Sequence, residues 1–278
     1  MAGQHLGPAL MARRLPEGPA HVPPVQRIRL QYAKRGRLRF SSHRDFARAF
    51  ERSLRRADIP MAYSAGFHPH PKISYVGAAP TGVGSEAEYL ELAMARHCEP
   101  EQVRAAIDAV LPDGLDMIRA VDAADCPPGS LAEVMQASVW QLELVADPQS
   151  LREAVLALLA AESVLVERLT KDGRRSLDAR APIVSAEMSD HPDQEGRAIL
   201  TMVVRQVTPT VRPDDVLTAL QSVAGFAPSQ PPRATRLAQG PVDETGTVAD
   251  PLCTTKLSAT ELSATETLLS TEPPVGTR

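Results

Sequence analysis

The sequence predicts an α+β protein made of two tandem ferredoxin-like (split βαβ) domains with disordered N- and C-terminal segments. Three observations carry this. Both halves alternate strand-like runs with amphipathic helices. Helices opening at Pro100, Pro148 and Pro213 each place apolar residues at offsets +3, +7, +10 and +11 from the proline, one narrow stripe per helix for a sheet to cover. Between the halves, Pro127-Pro128-Gly129 reads as a linker. The expected segments are a disordered stretch 1–24, an N-terminal α+β domain 25–123, a linker 124–137, a C-terminal α+β domain 138–238 and a disordered tail 239–278.

The N-terminal domain opens on a basic stretch. Between Arg27 and Tyr75 there are twelve Lys and Arg against three acids, a local balance of +9 in a chain whose total is −4. Such clustering points to a polyanionic partner for one face. From Arg27 to Tyr32 and from Arg37 to Phe40 arginines alternate with apolar residues around Lys34-Arg35-Gly36. That pattern predicts a hairpin with Ile28, Leu30, Tyr32, Leu38 and Phe40 in the core and the arginines on the other face.

A helix follows, opened by Ser42-His43-Arg44-Asp45 in capping-box form. At 100° per residue Phe46, Phe50, Leu54 and Ala57 share one side, while Arg44, Arg48, Arg52, Arg55 and Arg56 fill a separate arc of about 120°. Within that helix only Glu51 is available for i,i+4 pairing, so the arginines meet mostly like charges, which costs stability. An anion-facing stripe explains them better than a solvated one.

Tyr63 to Tyr75 reads YSAGFHPHPKISY. Pro69 and Pro71 fix their own φ and hold His68 and His70 extended, so two imidazoles stand beside Lys72 on a stiff loop. Such histidines donate to phosphate, stack on bases, ligate metal or shuttle protons. A structural use is the alternative, with Ser64, His68 and Ser74 satisfying backbone groups around the turn. His43, at the helix start, is a candidate to approach the pair.

Phe40 to Asp45 as F-x-S-H-x-D, Tyr63 to Ser74 as Y-S-x-G-F-x-P-x-P-K-I-S, and Gly82 to Glu91 as G-x-x-S-x-x-E-Y-x-E together resemble a bacterial family of uncharacterised radical-SAM-associated proteins. The resemblance is specific over Arg27 to Met94, weaker to about Leu237 and absent at both ends. It implies a domain of unknown function, fused to a radical SAM protein or encoded beside one, and hence a partner more than a reaction. A more distant likeness runs to the repeat-cleaving endoribonucleases of CRISPR systems, which are built from paired ferredoxin-like domains.

Radical SAM enzymes hold an iron–sulfur cluster on closely spaced cysteines. Cys98, Cys126 and Cys253 are far apart, so this chain is not itself such an enzyme, and no cofactor or metal is expected on it. No run approaches the roughly 18 apolar residues of a membrane helix. Residues 1–24 carry five prolines and no apolar signal region, and the cysteine usage suits a reducing compartment, so a cytoplasmic protein is expected.

After Tyr75, Gly82 and Gly84 with Ala87 mimic a dinucleotide fingerprint, but the strand-like Tyr89 to Met94 stands where a helix is required, so a connecting turn is expected. Strands are further expected at Pro60–Ser64, Lys72–Val76, Glu88–Met94 and Leu115–Val121. In the second half they fall at Trp140–Val145, Ser163–Leu169, Leu177–Met188, Ala198–Val204 and Thr235–Leu237. From Gln239 the composition turns to Thr, Ser, Glu and Pro, with LSATE repeated at Leu257 and Leu262, too little apolar area for ordering.

These readings predict a non-catalytic or accessory RNA-binding adaptor working with a radical SAM partner encoded nearby, in RNA or ribosome-related modification. The nucleic-acid contacts expected are Arg35, Arg37, Arg39, Arg44, Arg48, Arg52, Arg55, Tyr63, Ser64, Phe67, His68, His70 and Lys72. The alternative is a His-dependent endoribonuclease-like or metal-dependent enzyme using His43, His68 and His70.

Overall fold

The computed structural model describes residues 23–65, 68–170, 173–189 and 191–252. The first half runs β1 (Gln26–Lys34), a 3₁₀ turn (Gly36–Phe40), α1 (His43–Arg56), β2 (Ile73–Val76), β3 (Gly84–Met94), α2 (Pro100–Asp108) and β4 (Leu115–Asp122). A 3₁₀ turn (Ala123–Asp125) and the short α3 (Leu131–Val134) lead into the second half. There follow β5 (Ala137–Leu144), α4 (Pro148–Ala160), β6 (Leu165–Thr170), β7 (Gly173–Asp178), β8 (Ile183–Met188), β9 (Ala198–Arg205), α5 (Pro213–Ala224) and β10 (Arg233–Gly240). All three proline-led helices are present with Pro at the start, where the missing N–H leaves no bond unmade.

In the first half the strand order is β4-β1-β3-β2 and every pairing is antiparallel. The second half repeats it as β10-β5-β9-β8, again antiparallel throughout, with β6 and β7 set aside as a two-stranded ribbon. A short parallel seam, Thr235 on Gly84 and Arg236 on Ser85, joins β10 to β3. The architecture is thus a mixed α+β protein around one large mixed sheet.

On one face of the sheet, Ile28, Leu30, Tyr32, Leu90, Leu92 and Met94 meet Phe46, Phe50 and Leu54 of α1 and Val103 and Ile107 of α2. Each large side chain fully buried here stabilises the fold by roughly 1.5–3 kcal/mol. Trp140, Leu142, Leu200 and Met202 meet Leu151, Val155, Val216 and Leu220 in the same way in the second half.

The expected hairpin does not form. β1 is already paired on both sides, by β3 and by β4, so a strand at Arg37–Phe40 would find no free edge. The chain instead turns at Gly36, whose φ of 53° suits glycine, into the 3₁₀ turn. Phe40, expected in the core, is exposed. Nor do the β1 arginines line an open face together, because most of that face is covered: Arg29 is buried under the cover and only Arg27, at the start of the strand, stays exposed. Tyr89 and Ala87 lie under Cys126, Leu131, Val134, Met135 and Leu252, and Ala137 and Val139 under Val248.

The cover is made by residues expected to be linker and tail. Ser130 and Glu133 form a capping box that opens α3 within the 124–137 segment. The tail, expected to begin at Gln239, is packed through Leu252, with Gln239 and Leu252 buried and Asp250 ion-paired to Arg119. Gly240 allows the approach, since a Cβ there would stand 2.1 Å from the Ala249 carbonyl oxygen. The segment expected at Pro60–Ser64 makes only isolated pairings, Met61 with Met94 and Tyr63 with Pro71. Residues 1–22 and 253–278, which hold most of the expected N-terminal segment and the LSATE repeats, lie outside the described residues. No helix among the described residues is long and apolar enough to cross a membrane.

Candidate nucleic-acid interface

Helix α1 is fixed from below and open above. The Ser42 hydroxyl oxygen accepts the Asp45 N–H at 3.2 Å, and Asp45 accepts the Ser42 hydroxyl proton at 2.6 Å. That hydroxyl, helped by Arg48 and Arg44, holds the Asp45 carboxyl below the ordinary carboxylate range. Phe46 stacks on Tyr32 at 4.4 Å between centroids and on Phe50 at 5.6 Å, with Tyr75 edge-on to Phe46 and Phe50. The aromatic footing sets the rotation of the helix, and Arg44, Arg48, Arg52, Arg55 and Arg56 all point into solvent.

The cations of the basic stretch divide into two groups. Arg27 and Arg29 both bind Glu91, and Arg29, buried, also donates to the carbonyls of Pro127 and Gly129. Arg35 is held by Glu86 and Asp116, and Lys34 is buried against the carbonyls of Ala79 and Pro80. Arg35, expected as a phosphate contact, thus bridges Glu86 of β3 and Asp116 of β4 while its side chain stays partly exposed. By contrast, no carboxylate among the described residues pairs with Arg37, Arg39, Arg44, Arg48, Arg52, Arg55 or Arg56. The Arg39 guanidinium lies over the Phe40 ring at 4.8 Å, while its Nε is buried without a partner. Phe40, which alternation had assigned to the core, thus adds an exposed ring beside the cationic group.

The histidine loop closes as a narrow hairpin. The Ser64 N–H donates to the His70 carbonyl at 2.8 Å, the His70 N–H donates to the Ser64 hydroxyl oxygen at 3.0 Å, and the Lys72 N–H donates to the Ala62 carbonyl. Ser64 is thereby occupied in holding the loop. His68, Pro69 and His70 are exposed, as is Tyr63, and neither imidazole hydrogen-bonds another described residue. Lys72 is half-buried at the loop's base. Phe67 lies outside the described residues.

His43 does not join His68 and His70. Its ring stands edge-on to Tyr75, 5.0 Å between centroids, toward the end of β2 remote from the loop. Five residues of extended chain, on the order of 16 Å, separate Tyr75 from His70. Among the described residues no three His, Cys, Asp or Glu side chains are grouped to hold a metal ion.

An α+β sheet protein carrying a helix with a solvent-facing arginine arc and, separately, an exposed imidazole loop is thus defined. The chain belongs to the family described as an uncharacterised protein conserved in bacteria (DUF2344), whose model matches residues 27–213. A search of curated proteins found no match. Among solved structures, a protein described as a dyp-type peroxidase from Shewanella oneidensis aligns at 8% identity over 73% of this chain and 85% of its own, with a TM-score of 0.20. DyPB from Rhodococcus jostii RHA1 aligns at 11% identity over 80% and 93%, with a TM-score of 0.19.

Proposed function

We propose that this protein is an accessory RNA-binding module, in the cytoplasm, that presents RNA to a radical SAM partner in RNA or ribosome-related modification. The observation that carries the reading is the arginine arc of α1. Five exposed arginines stand on about 20 Å of helix without an ion-pair contact among the described residues, Asp45 being the acid that Arg44 and Arg48 act on from a distance, although every cation on the neighbouring β1 has found a protein partner. Spaced guanidinium groups of this kind match a phosphate backbone, and the like-charge repulsion among them is relieved when phosphates bind.

In this reading Arg37, Arg39, Arg44, Arg48, Arg52, Arg55 and Arg56 hold phosphates. Tyr63, Phe67, His68 and His70 stack on or hydrogen-bond unpaired bases, with Lys72 at the base of the loop and Phe40 added as a further stacking ring. The strand order repeated in both halves supports describing the scaffold as two tandem ferredoxin-like units. The buried opposite face leaves the helix side and the loop for RNA. The motifs at Phe40–Asp45, Tyr63–Ser74 and Gly82–Glu91 support the radical SAM partner.

RNA affinity measured across salt concentration tests the proposal. With roughly four phosphate contacts, affinity for single-stranded RNA falls about 50-fold between 50 and 200 mM salt. A flat response removes the reading. Co-purification with the radical SAM protein encoded nearby tests the partner separately.

A further inference from the structure

A cleft of about 570 Å³ opens where the two halves meet, between the Gly77–Thr81 loop and the entry to α5. Its floor is Trp140 and Arg236, both buried, and its rim carries Thr81, Thr210 and Arg212. Arg236 gives its Nε to the Ser85 hydroxyl and its Nη2 to Glu88, and lies 5.4 Å from the Trp140 ring centroid. Its Nη1 has no partner among the described residues.

Beneath the cleft the charges do not balance. Lys34 and Arg236, 5% and 4% exposed, face a single buried carboxylate, Glu88, which also accepts the Ala79 N–H. Two desolvated cations against one anion leave a net positive charge out of water, a costly arrangement unless an anion completes it. Burial and Arg236 both push the Lys34 pKa down, with Glu88 opposing, as expected of a cation short of counter-charge. The lining acid, Asp214, is exposed at the rim.

We propose that this cleft binds a phosphate monoester of mononucleotide size, its phosphate on Arg236 and Arg212 and its organic part against Trp140, Pro80 and Val211. Guanidinium donors with nearby hydroxyls suit a tetrahedral dianion. The cleft is too large for a bare ion and falls within the range of small-molecule sites. It lies apart from the arginine arc of α1 and does not depend on the RNA reading.

Calorimetric titration of the full chain with AMP, GMP, CMP and UMP, with adenosine and inorganic phosphate for comparison, tests the assignment. At least one nucleotide should bind with a Kd below roughly 1 mM, and its nucleoside about tenfold more weakly. Arg236→Lys should weaken binding about tenfold by removing the fork. Arg212→Glu, an exposed side chain at the N-cap of α5 whose backbone bond to Asp215 the substitution keeps, should weaken it at least as much with thermal unfolding checked alongside, and Arg48→Glu should leave it unchanged. No nucleotide binding near 1 mM, equal binding of the nucleoside, or binding lost in Arg48→Glu but kept in Arg212→Glu overturns the proposal.

Discussion

Arg236 of β10 and Glu88 of β3 form an ion pair across the seam between the two halves, with side chains 4% and 2% exposed and 148 residues apart in sequence. The pair sits beside the short backbone pairing of Thr235 with Gly84 and Arg236 with Ser85, which the Gln239 side chain extends by donating to the Ala87 carbonyl. Removing one partner strands the other charge out of water. Glu88→Gln is expected to destabilise the protein by about 3–5 kcal/mol, read by thermal or denaturant unfolding. A change under about 1 kcal/mol would show that the seam does not rest on this pair.

Lys34 gives a pH signature. Burial lowers its pKa from the ordinary 10.5, so in the folded state the proton is held less tightly than in the unfolded chain. Stability therefore carries the full penalty below the lowered value and improves as pH rises from that value toward 10.5. Wild type should gain relative to Lys34→Met as pH is raised from about 7 to about 10. A stability gap constant with pH contradicts this.

Much of the local structure is legible in the sequence because its causes are local. Ser42, Pro100, Pro148 and Pro213 mark helix starts through hydrogen bonds and φ restrictions within one turn. The charge count of the Arg27–Tyr75 stretch misleads for the opposite reason. Its counter-charges Glu86 and Glu91 lie just beyond it on β3, and strand pairing alone brings them to Arg35, Arg27 and Arg29. Alternation likewise cannot tell that β1 has both edges filled, so the Arg37–Phe40 repeat reads as a strand and Phe40 as core. The covering role of residues 241–252 rests on sparse contacts from Val248, Asp250 and Leu252, too few to form a periodic signal.

Gly240 tests whether that cover belongs to the fold. A methyl group placed 2.1 Å from the Ala249 carbonyl oxygen forces the backbones apart. Gly240→Ala should cost roughly 1–3 kcal/mol and increase proteolysis in the 241–252 segment. Unchanged stability would mean that the segment contributes little.

The two loop histidines should matter to ligand and not to folding. Neither His68 nor His70 bonds another described residue, so His68→Ala and His70→Ala should each leave stability within about 0.5 kcal/mol of wild type. Each should lower affinity for single-stranded RNA by about fivefold or more, the loss of one stacked or hydrogen-bonded base. Ser64→Ala, which removes the acceptor for the His70 N–H, should loosen the loop instead, read as faster hydrogen exchange there.

The central claim is that the free arginines of α1 grip phosphates, and the salt dependence of RNA binding in wild type and in Arg48→Glu/Arg52→Glu tests it most directly. We expect a wild-type slope of log affinity against log salt near −3 for single-stranded RNA, made shallower by about 1.4 in the double variant, with unfolding unchanged. Equal slopes and equal affinities in the two proteins would contradict it.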